Sequence, residues 1–244
     1  MGRFDVVCGM EGFILAAGLG TRLRPLTDDR PKALVEVGGE PLLALAIRRL
    51  ASAGASRIVV NVHHFADMVE EYLASHAWPC PVSISDERAL LLDTGGALKH
   101  AEPHFSGRDD ILIHNVDVLS TIDLSALLGQ HASQRNLATL CCSRRDTKRL
   151  LDFGPDGSLL GRTGSTQMNQ NSSALAFSGI ALVSPALLPL LPVADHPYSI
   201  IDMYIELASS HPVRSFVHPA DQWLDVGRPE TLEKAQQWYP SCNK

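Results

Sequence analysis

The stretch from Gly12 to Leu34 concentrates the residue types that handle phosphate. Gly18 and Gly20 admit backbone dihedrals that other residues resist, and they let a ligand approach the main chain. Arg22, Arg24, Arg30 and Lys32 follow, four of the chain's 21 Lys and Arg within eleven residues, in a chain of formal net charge −6. A cationic glycine loop in an acidic protein indicates a local anion site, not a general affinity for nucleic acid or other polyanions. The spacing does not fit Gly-x4-Gly-Lys-Ser/Thr. It does not fit the dinucleotide fingerprint either: Leu23 stands where a third glycine would open a helix, and Pro25 would break one. The loop is therefore long and irregular, and side chains carry its charge. The anion fits a phosphate chain: Arg22 offers a fork of donors, and Lys32 is a compact charge.

These residues need a scaffold, and the chain alternates strand-like with helix-like segments. Phe13–Ala17 reads as a short buried strand, Pro41–Ala53 as an amphipathic helix ended by Gly54, and Arg57–Val62 as a β-branched strand. Ala66–His76 is helical, Pro81–Ser85 a short strand, Thr94–Ala101 a short helix and Asp110–Asn115 a buried strand. This rhythm predicts an α/β fold with a mostly parallel sheet covered by helices, whose ligands sit beyond the carboxyl ends of the strands. The glycine loop and Asp117 both fall at such ends. Further on, Leu124–His131 reads as a helix and Leu137–Ser143 as a strand. Gly-Pro-Asp-Gly between Leu151 and Arg162 marks a hairpin. Gly164–Ser173 carries no pattern. Phe177–Val183, Val213–Val217 and Gln222–Asp225 read as strands, with helices at Ser199–Ser209 and Pro229–Gln237 and a tail from Trp238 free to fray. The basic run Arg144, Arg145, Lys148 and Arg149 reads first as a solvated face, and second as a neighbour of a sugar phosphate.

Leu15-Ala-Ala-Gly-Leu-Gly-Thr-Arg-Leu-Arg-Pro-Leu-Thr with Pro31-Lys32 resembles the signature of the sugar-1-phosphate nucleotidyltransferases, most closely their short bacterial members. The resemblance runs from about Met10 to the C-terminus. It implies a Rossmann-like mixed sheet in one domain over residues 10–240, with residues 1–9 a tail. It implies a Mg2+-dependent reaction between a nucleoside triphosphate and a sugar 1-phosphate, giving a nucleotide-diphospho-sugar and pyrophosphate. It places Leu15, Ala17, Gly18, Gly20, Thr21 and Arg22 at the nucleotide, with Arg22, Lys32 and Asp117 catalytic and with Asp117 and Asp225 as metal ligands. Asp93, Gly95 and Gly96 resemble the segment at the base and ribose, although a plain helix start explains them equally well. Asn115, Ser178 and Gly179 fall on the sugar side. One departure stands out: Val116 precedes Asp117 where the family has glycine, which suggests an altered sugar fit or reduced activity.

With 244 residues and 45% hydrophobic content, the chain fits one large α/β domain. No apolar run is long enough for a membrane span, and residues 1–9 do not form a signal peptide. Five cysteines without Cys-x-x-Cys spacing argue against a metal ribbon or a disulfide framework and suit a reducing cytoplasm. His63 and His64 read as surface residues. No hexapeptide repeat follows Asp225, so a second activity is not expected. Oligomeric state stays open, since no heptad or apolar stripe advertises an interface. Two rivals remain at this level. One is a cytidylyltransferase for phosphocholine or another non-sugar phosphate. The other, motivated by Val116, is a non-catalytic sensor of nucleotide sugars.

Overall fold

The computed structural model describes residues 9–164 and 172–242. The expected tail at residues 1–9 falls, but for Gly9, outside them, as does most of the unpatterned segment after Gly164. The elements are β1 (Met10–Leu15), β2 (Glu36–Val37), β3 (Glu40–Pro41), α1 (Leu42–Ser52), β4 (Ala55–Val62), α2 (Ala66–Ala74), β5 (Val82–Asp86), α3 (Asp93–His100), β6 (Asp110–Asn115) and β7 (Val118–Ser120). They continue with α4 (Leu124–Gln134), β8 (Ala138–Ser143), β9 (Leu150–Phe153), β10 (Leu159–Arg162), β11 (Ser173–Val183), α5 (Ile200–Leu207), β12 (Val213–Val217), β13 (Trp223–Asp225) and α6 (Pro229–Cys242). Most boundaries lie within two or three residues of the sequence expectation. β11 starts four residues early, and α6 runs on to Cys242, into the tail expected to fray from Trp238.

Among the described residues nine strands form one mixed sheet, with β1 between β4 and β6 and parallel to both. β5 continues the parallel half beyond β4, and β12 lies parallel to β8. β11 runs antiparallel to β6, β8 and β9, so it turns the sheet into its second half. Strands covered on both faces read as continuous apolar runs, and β1 shows why. Ile14 enters one core with Leu43 and Leu50 of α1 and Val60 of β4. Phe13, its neighbour, enters the opposite core with Leu98 of α3, Ile113 of β6 and Tyr204 of α5. Successive side chains point to opposite faces. Both faces of β1 are therefore fixed, and so is the position from which the glycine loop departs.

β1 connects onward to β4 on one side, while β6 flanks it on the other. The point between the carboxyl ends of β1 and β6 is a topological switch, where open α/β sheets form clefts. Two small ribbons stand off this sheet: β2 with β3, and β7 with β13. Of their strands the sequence reading contains only β13, as Gln222–Asp225; strands of two or three residues carry little periodicity.

Candidate active site

β1 ends at Leu15, and the chain turns because the next two amides find a side-chain acceptor. The N–H groups of Ala16 and Ala17 both donate to Asn61 Oδ1 of β4, at 2.6 and 3.2 Å. Asn61 Nδ2 donates to Glu87 Oε1 at 2.7 Å, and Glu87 Oε2 accepts from the Leu92 N–H at 3.1 Å. One buried chain of hydrogen bonds thus ties the glycine loop to the segment that enters α3. Burial pushes the Glu87 carboxyl above its ordinary range, and the hydrogen bonds from Asn61 and Leu92 partly offset this. Both residues line the cleft, and both were missed in the sequence. The available signal was an Asn inside the Val-Val-Asn-Val run of a buried strand, which must find partners there.

Gly20 adopts a left-handed conformation at φ 65°, and a Cβ on it would lie 3.1 Å from both Lys32 and Thr27. Its carbonyl accepts from Thr27 Oγ1 at 2.9 Å, which closes the loop over the 3-10 turn Thr21–Leu23. Gly18 faces open space instead. Lys32 begins a second 3-10 turn behind the loop and pairs with Asp117, and both side chains are largely enclosed. Arg22 is exposed and reaches across to the far side, where a Cβ on Gly227 would fall 2.9 Å from its Nη2.

The β7–β13 ribbon brings the two aspartates to one place. Asp225 lies opposite Val118, the Val226 N–H donates to the Asp117 carbonyl at 2.8 Å, and Asp225 Oδ1 accepts from the Gly227 N–H at 2.6 Å. Two hard carboxylates close to the cations Arg22 and Lys32 suit Mg2+, an ion that takes few protein ligands and completes its shell with water and phosphate oxygens. Among the described residues no cluster of three His, Cys, Asp or Glu forms a self-sufficient metal cage. The donor set therefore fits an ion that arrives with a polyphosphate. Asp117 already faces a cation, the Lys32 ammonium.

Several expected site residues have other duties. The Gly95 and Gly96 N–H groups donate to the Tyr198 carbonyl at 2.9 and 3.4 Å, and a Cβ on Gly95 would meet the Tyr198 ring at 2.5 Å. These glycines let the entry to α5 pack on α3, and neither lines the cleft. Thr94 Oγ1 accepts the Ile200 N–H at 3.0 Å in the same junction. Asp93 does reach the cleft rim, in a left-handed conformation at φ 57° with its carboxylate accepting the Thr94 N–H at 2.6 Å. Ser178 gives its hydroxyl to buried His218 at 2.8 Å, and its carbonyl accepts from the Trp223 indole at 2.6 Å. These two bonds tie β11 to the segment that carries Trp223 and His218. Gly179, at φ 72°, leaves room for Asn115, whose Nδ2 would lie 2.7 Å from a Cβ there. Val116 packs into the core, 3% exposed, with its N–H donating to the Leu15 carbonyl at 3.1 Å. Val116 nevertheless borders the cleft, between Asn115 and Asp117. His63 is half-buried and bonds the Glu87 carbonyl through Nδ1 at 2.7 Å, while His64 is exposed and lies tilted against Phe65.

Two clefts meet at this centre. The first, of about 600 Å3, runs from the glycine loop past Asn61, Glu87 and Asp93 to Lys32 and Asp117. The second, of about 840 Å3, runs from Arg22, Asn115 and Asp117 past Asp225 and Gly179 to Arg145, Lys148 and Arg149. Much of the basic run that read as a solvated face therefore borders a cleft. A polyanion in the first cleft and a second phosphate in the other would meet over Asp117.

A bipartite cleft of this kind, on this fold and with this loop, defines a nucleotidyl transferase. The chain belongs to the nucleotidyl transferase family, whose model matches residues 11–155. It is 34% identical to an N-acetylmuramate α-1-phosphate uridylyltransferase of Caulobacter vibrioides over 91% of this chain and 94% of that one. It is 32% identical to a protein of the same name from Neisseria meningitidis, over 93% and 97% of the two chains. The fold is also that of HddC from Yersinia pseudotuberculosis, with TM-score 0.77, 23% identity, and coverage of 94% of this chain and 99% of that one.

Proposed function

We propose that this protein joins UTP and a sugar 1-phosphate into a uridine-diphospho-sugar in the cytoplasm, with release of pyrophosphate and with Mg2+ as cofactor. A phosphate oxygen of the sugar 1-phosphate attacks the α-phosphorus. The bond from that phosphorus to the bridging oxygen breaks, and its electron pair leaves with pyrophosphate. The chain's task is positioning and charge neutralisation. The glycine loop and Arg22 hold the triphosphate. Lys32 guards the α-phosphate, where negative charge builds. Asp117 and Asp225 would hold Mg2+, which neutralises phosphate charge when bound. Asp93 at the rim faces the ribose and base. Asn115, held in place by Gly179, faces the sugar.

The observation that carries this reading is the junction of the two clefts at Lys32, Asp117 and Arg22. A uridine donor is favoured by the two uridylyltransferases that match this chain almost end to end. Pyrophosphate release with each of UTP, GTP, CTP, dTTP and ATP, against a panel of sugar 1-phosphates, tests it directly. Release that needs UTP, a sugar phosphate and Mg2+ together is expected. Release with CTP and phosphocholine, or metal-dependent triphosphate binding with no turnover on any acceptor, would overturn it.

A further inference from the structure

Both carboxylates proposed to hold Mg2+ have cationic neighbours from this chain. Lys32 pairs with Asp117, and only 11% and 14% of the two side chains are exposed. Two guanidinium groups stand near Asp225. A Cβ on Gly227 would lie 2.4 Å from Asp225 Oδ1 and 2.9 Å from Arg22 Nη2, so that carboxylate and Arg22 flank one point. Arg145 packs on the Trp223 ring, 3.5 Å from its centroid, and donates through Nη2 to the carbonyls of Phe177 and Ala176 at 2.7 and 3.3 Å. Trp223 shares β13 with Asp225 and is held by its bond to the Ser178 carbonyl. Burial pushes the Arg145 guanidinium below its ordinary range, and the Asp225 carboxylate is among the groups that partly offset this. Three cations thus face two carboxylates.

A divalent ion on its own meets two obstacles here. The surrounding charge is positive, and like charges repel. Taking Asp117 from Lys32 would also strand an enclosed ammonium without a counter-charge, which is costly. A triphosphate removes both obstacles, because its oxygens supply the negative charge that the cations would lose. Lys32 is placed to make that exchange. Its stem starts against the glycine loop, where a Cβ on Gly20 would lie 3.1 Å from Lys32 Cβ. The loop and Asp117 both line the first cleft. With the base of the stem fixed, its four flexible carbons let the ammonium pass from the carboxylate to a phosphate on the loop. We infer that Lys32, with Arg22 as its counterpart at Asp225, holds the metal's place on the two carboxylates, and that phosphate must draw these cations off before the carboxylates accept a divalent ion. Arg145 is fixed on Trp223 and keeps the neighbourhood positive. Metal and triphosphate then raise each other's affinity by the same factor.

This inference rests on the transferase reading and adds to it the control of metal entry. The test titrates the nucleotide-free protein with Mn2+, a probe for the Mg2+ position, and reads the free ion by its electron paramagnetic resonance. Wild type should bind Mn2+ weakly. Lys32→Met keeps most of the stem and removes the charge. It should bind Mn2+ on the order of tenfold tighter, because a like charge beside a divalent ion is gone. Lys32→Arg keeps the charge and should stay as weak as wild type. Asp117→Asn added to Lys32→Met should abolish the gain, which locates the ion. A merely structural role for Lys32 would lower the melting temperature without tightening Mn2+, and that result overturns the inference. If Lys32→Met does not fold, the exposed Arg22→Met decides: it should tighten Mn2+ several-fold, and an unmoved affinity overturns the inference. A wild type that binds Mn2+ as tightly as Lys32→Met, yet still releases pyrophosphate from UTP and a sugar 1-phosphate, overturns the inference and leaves the transferase standing. Silence on every sugar 1-phosphate would remove the transferase reading and this inference with it.

Discussion

Asn61 is a side chain on which two parts of the cleft depend, and its replacement gives a quantitative test. Asn61→Ala deletes three hydrogen bonds: two from the loop amides of Ala16 and Ala17, and one to Glu87. At about 1 kcal/mol net each, with a buried carboxyl left short of a donor, the loss is about 3–4 kcal/mol. For a domain of this size each kcal/mol moves the melting temperature by about 2–4 °C, so a drop of about 6–16 °C is expected. Freed from Asn61, the glycine loop no longer presents the triphosphate in register, and a shift near 1 Å costs on the order of a hundredfold in kcat/KM. Asn61→Asp separates the two duties of the residue. Its oxygen can still accept the loop amides, but it faces the Glu87 carboxyl without a proton to donate. Glu87 already sits above the ordinary carboxyl range because it is buried. A raised carboxyl binds its proton more tightly in the folded state than in the unfolded chain, so stability falls as pH rises through the interval between the two pKa values. Asn61→Asp should therefore melt closer to wild type near pH 5 and well below it at pH 8. Thermal melts across pH and saturation kinetics in UTP read both effects. An Asn61→Ala protein that melts within 2 °C of wild type and keeps its KM for UTP would refute the brace.

Three further outcomes follow from the same geometry. Val116→Gly should lose about 2–4 kcal/mol, from an unfilled core position and a looser backbone, with no gain in turnover; a higher kcat would show that the valine crowds the ligand. Gly95→Ala drives a methyl group into the Tyr198 ring, and its cost of about 1–3 kcal/mol should appear as a lower melting temperature; a wild-type melt would show that the α3–α5 junction yields freely. Asp225→Asn keeps an oxygen for the Gly227 N–H, so the fold should hold while turnover falls on the order of a hundredfold and the Mg2+ requirement rises. Chelation of wild type should abolish turnover reversibly, and activity that persists in chelator would remove the metal role from both aspartates.

What the sequence disclosed was local. The strand before the glycine loop, the break at Pro25 and Asp117 at the end of an apolar run each depend on neighbours a few residues away, and they stand where the pattern put them. The glycines show the limit. Gly18, Gly95 and Gly179 are one residue type with three separate reasons: open space, the close approach of a tyrosine ring, and room for an asparagine on another strand. Only contacts between distant segments tell these reasons apart. Arg145 is a similar case. A cation in a basic run is read as solvated unless the strand and tryptophan that hold it are known, and both lie far along the chain.

The placement of Asp225 depends on distance in the same way. It becomes a partner of Asp117 only because β13 pairs with β7, across more than a hundred residues of sequence, in the register that sets Asp225 opposite Val118. That register is held at both ends. The Val226 N–H donates to the Asp117 carbonyl beyond one end, and the Thr121 N–H donates to the Gln222 carbonyl beyond the other. A slip of one residue in such a ribbon turns every side chain to the opposite face. It would carry the Asp225 carboxylate away from the cleft and put its apolar neighbour Leu224 or Val226 in its place. The ribbon is too short to fix its own register by hydrophobic patterning. Buried Val226 and the Trp223 indole bonded to Ser178 supply the constraint instead. The pair Asp117 and Asp225, proposed above to hold Mg2+, is thus set by the same tryptophan that carries Arg145. The second cleft and this pair are therefore mechanically one unit, and substitutions of Trp223 should disturb acceptor use and Mg2+ dependence together.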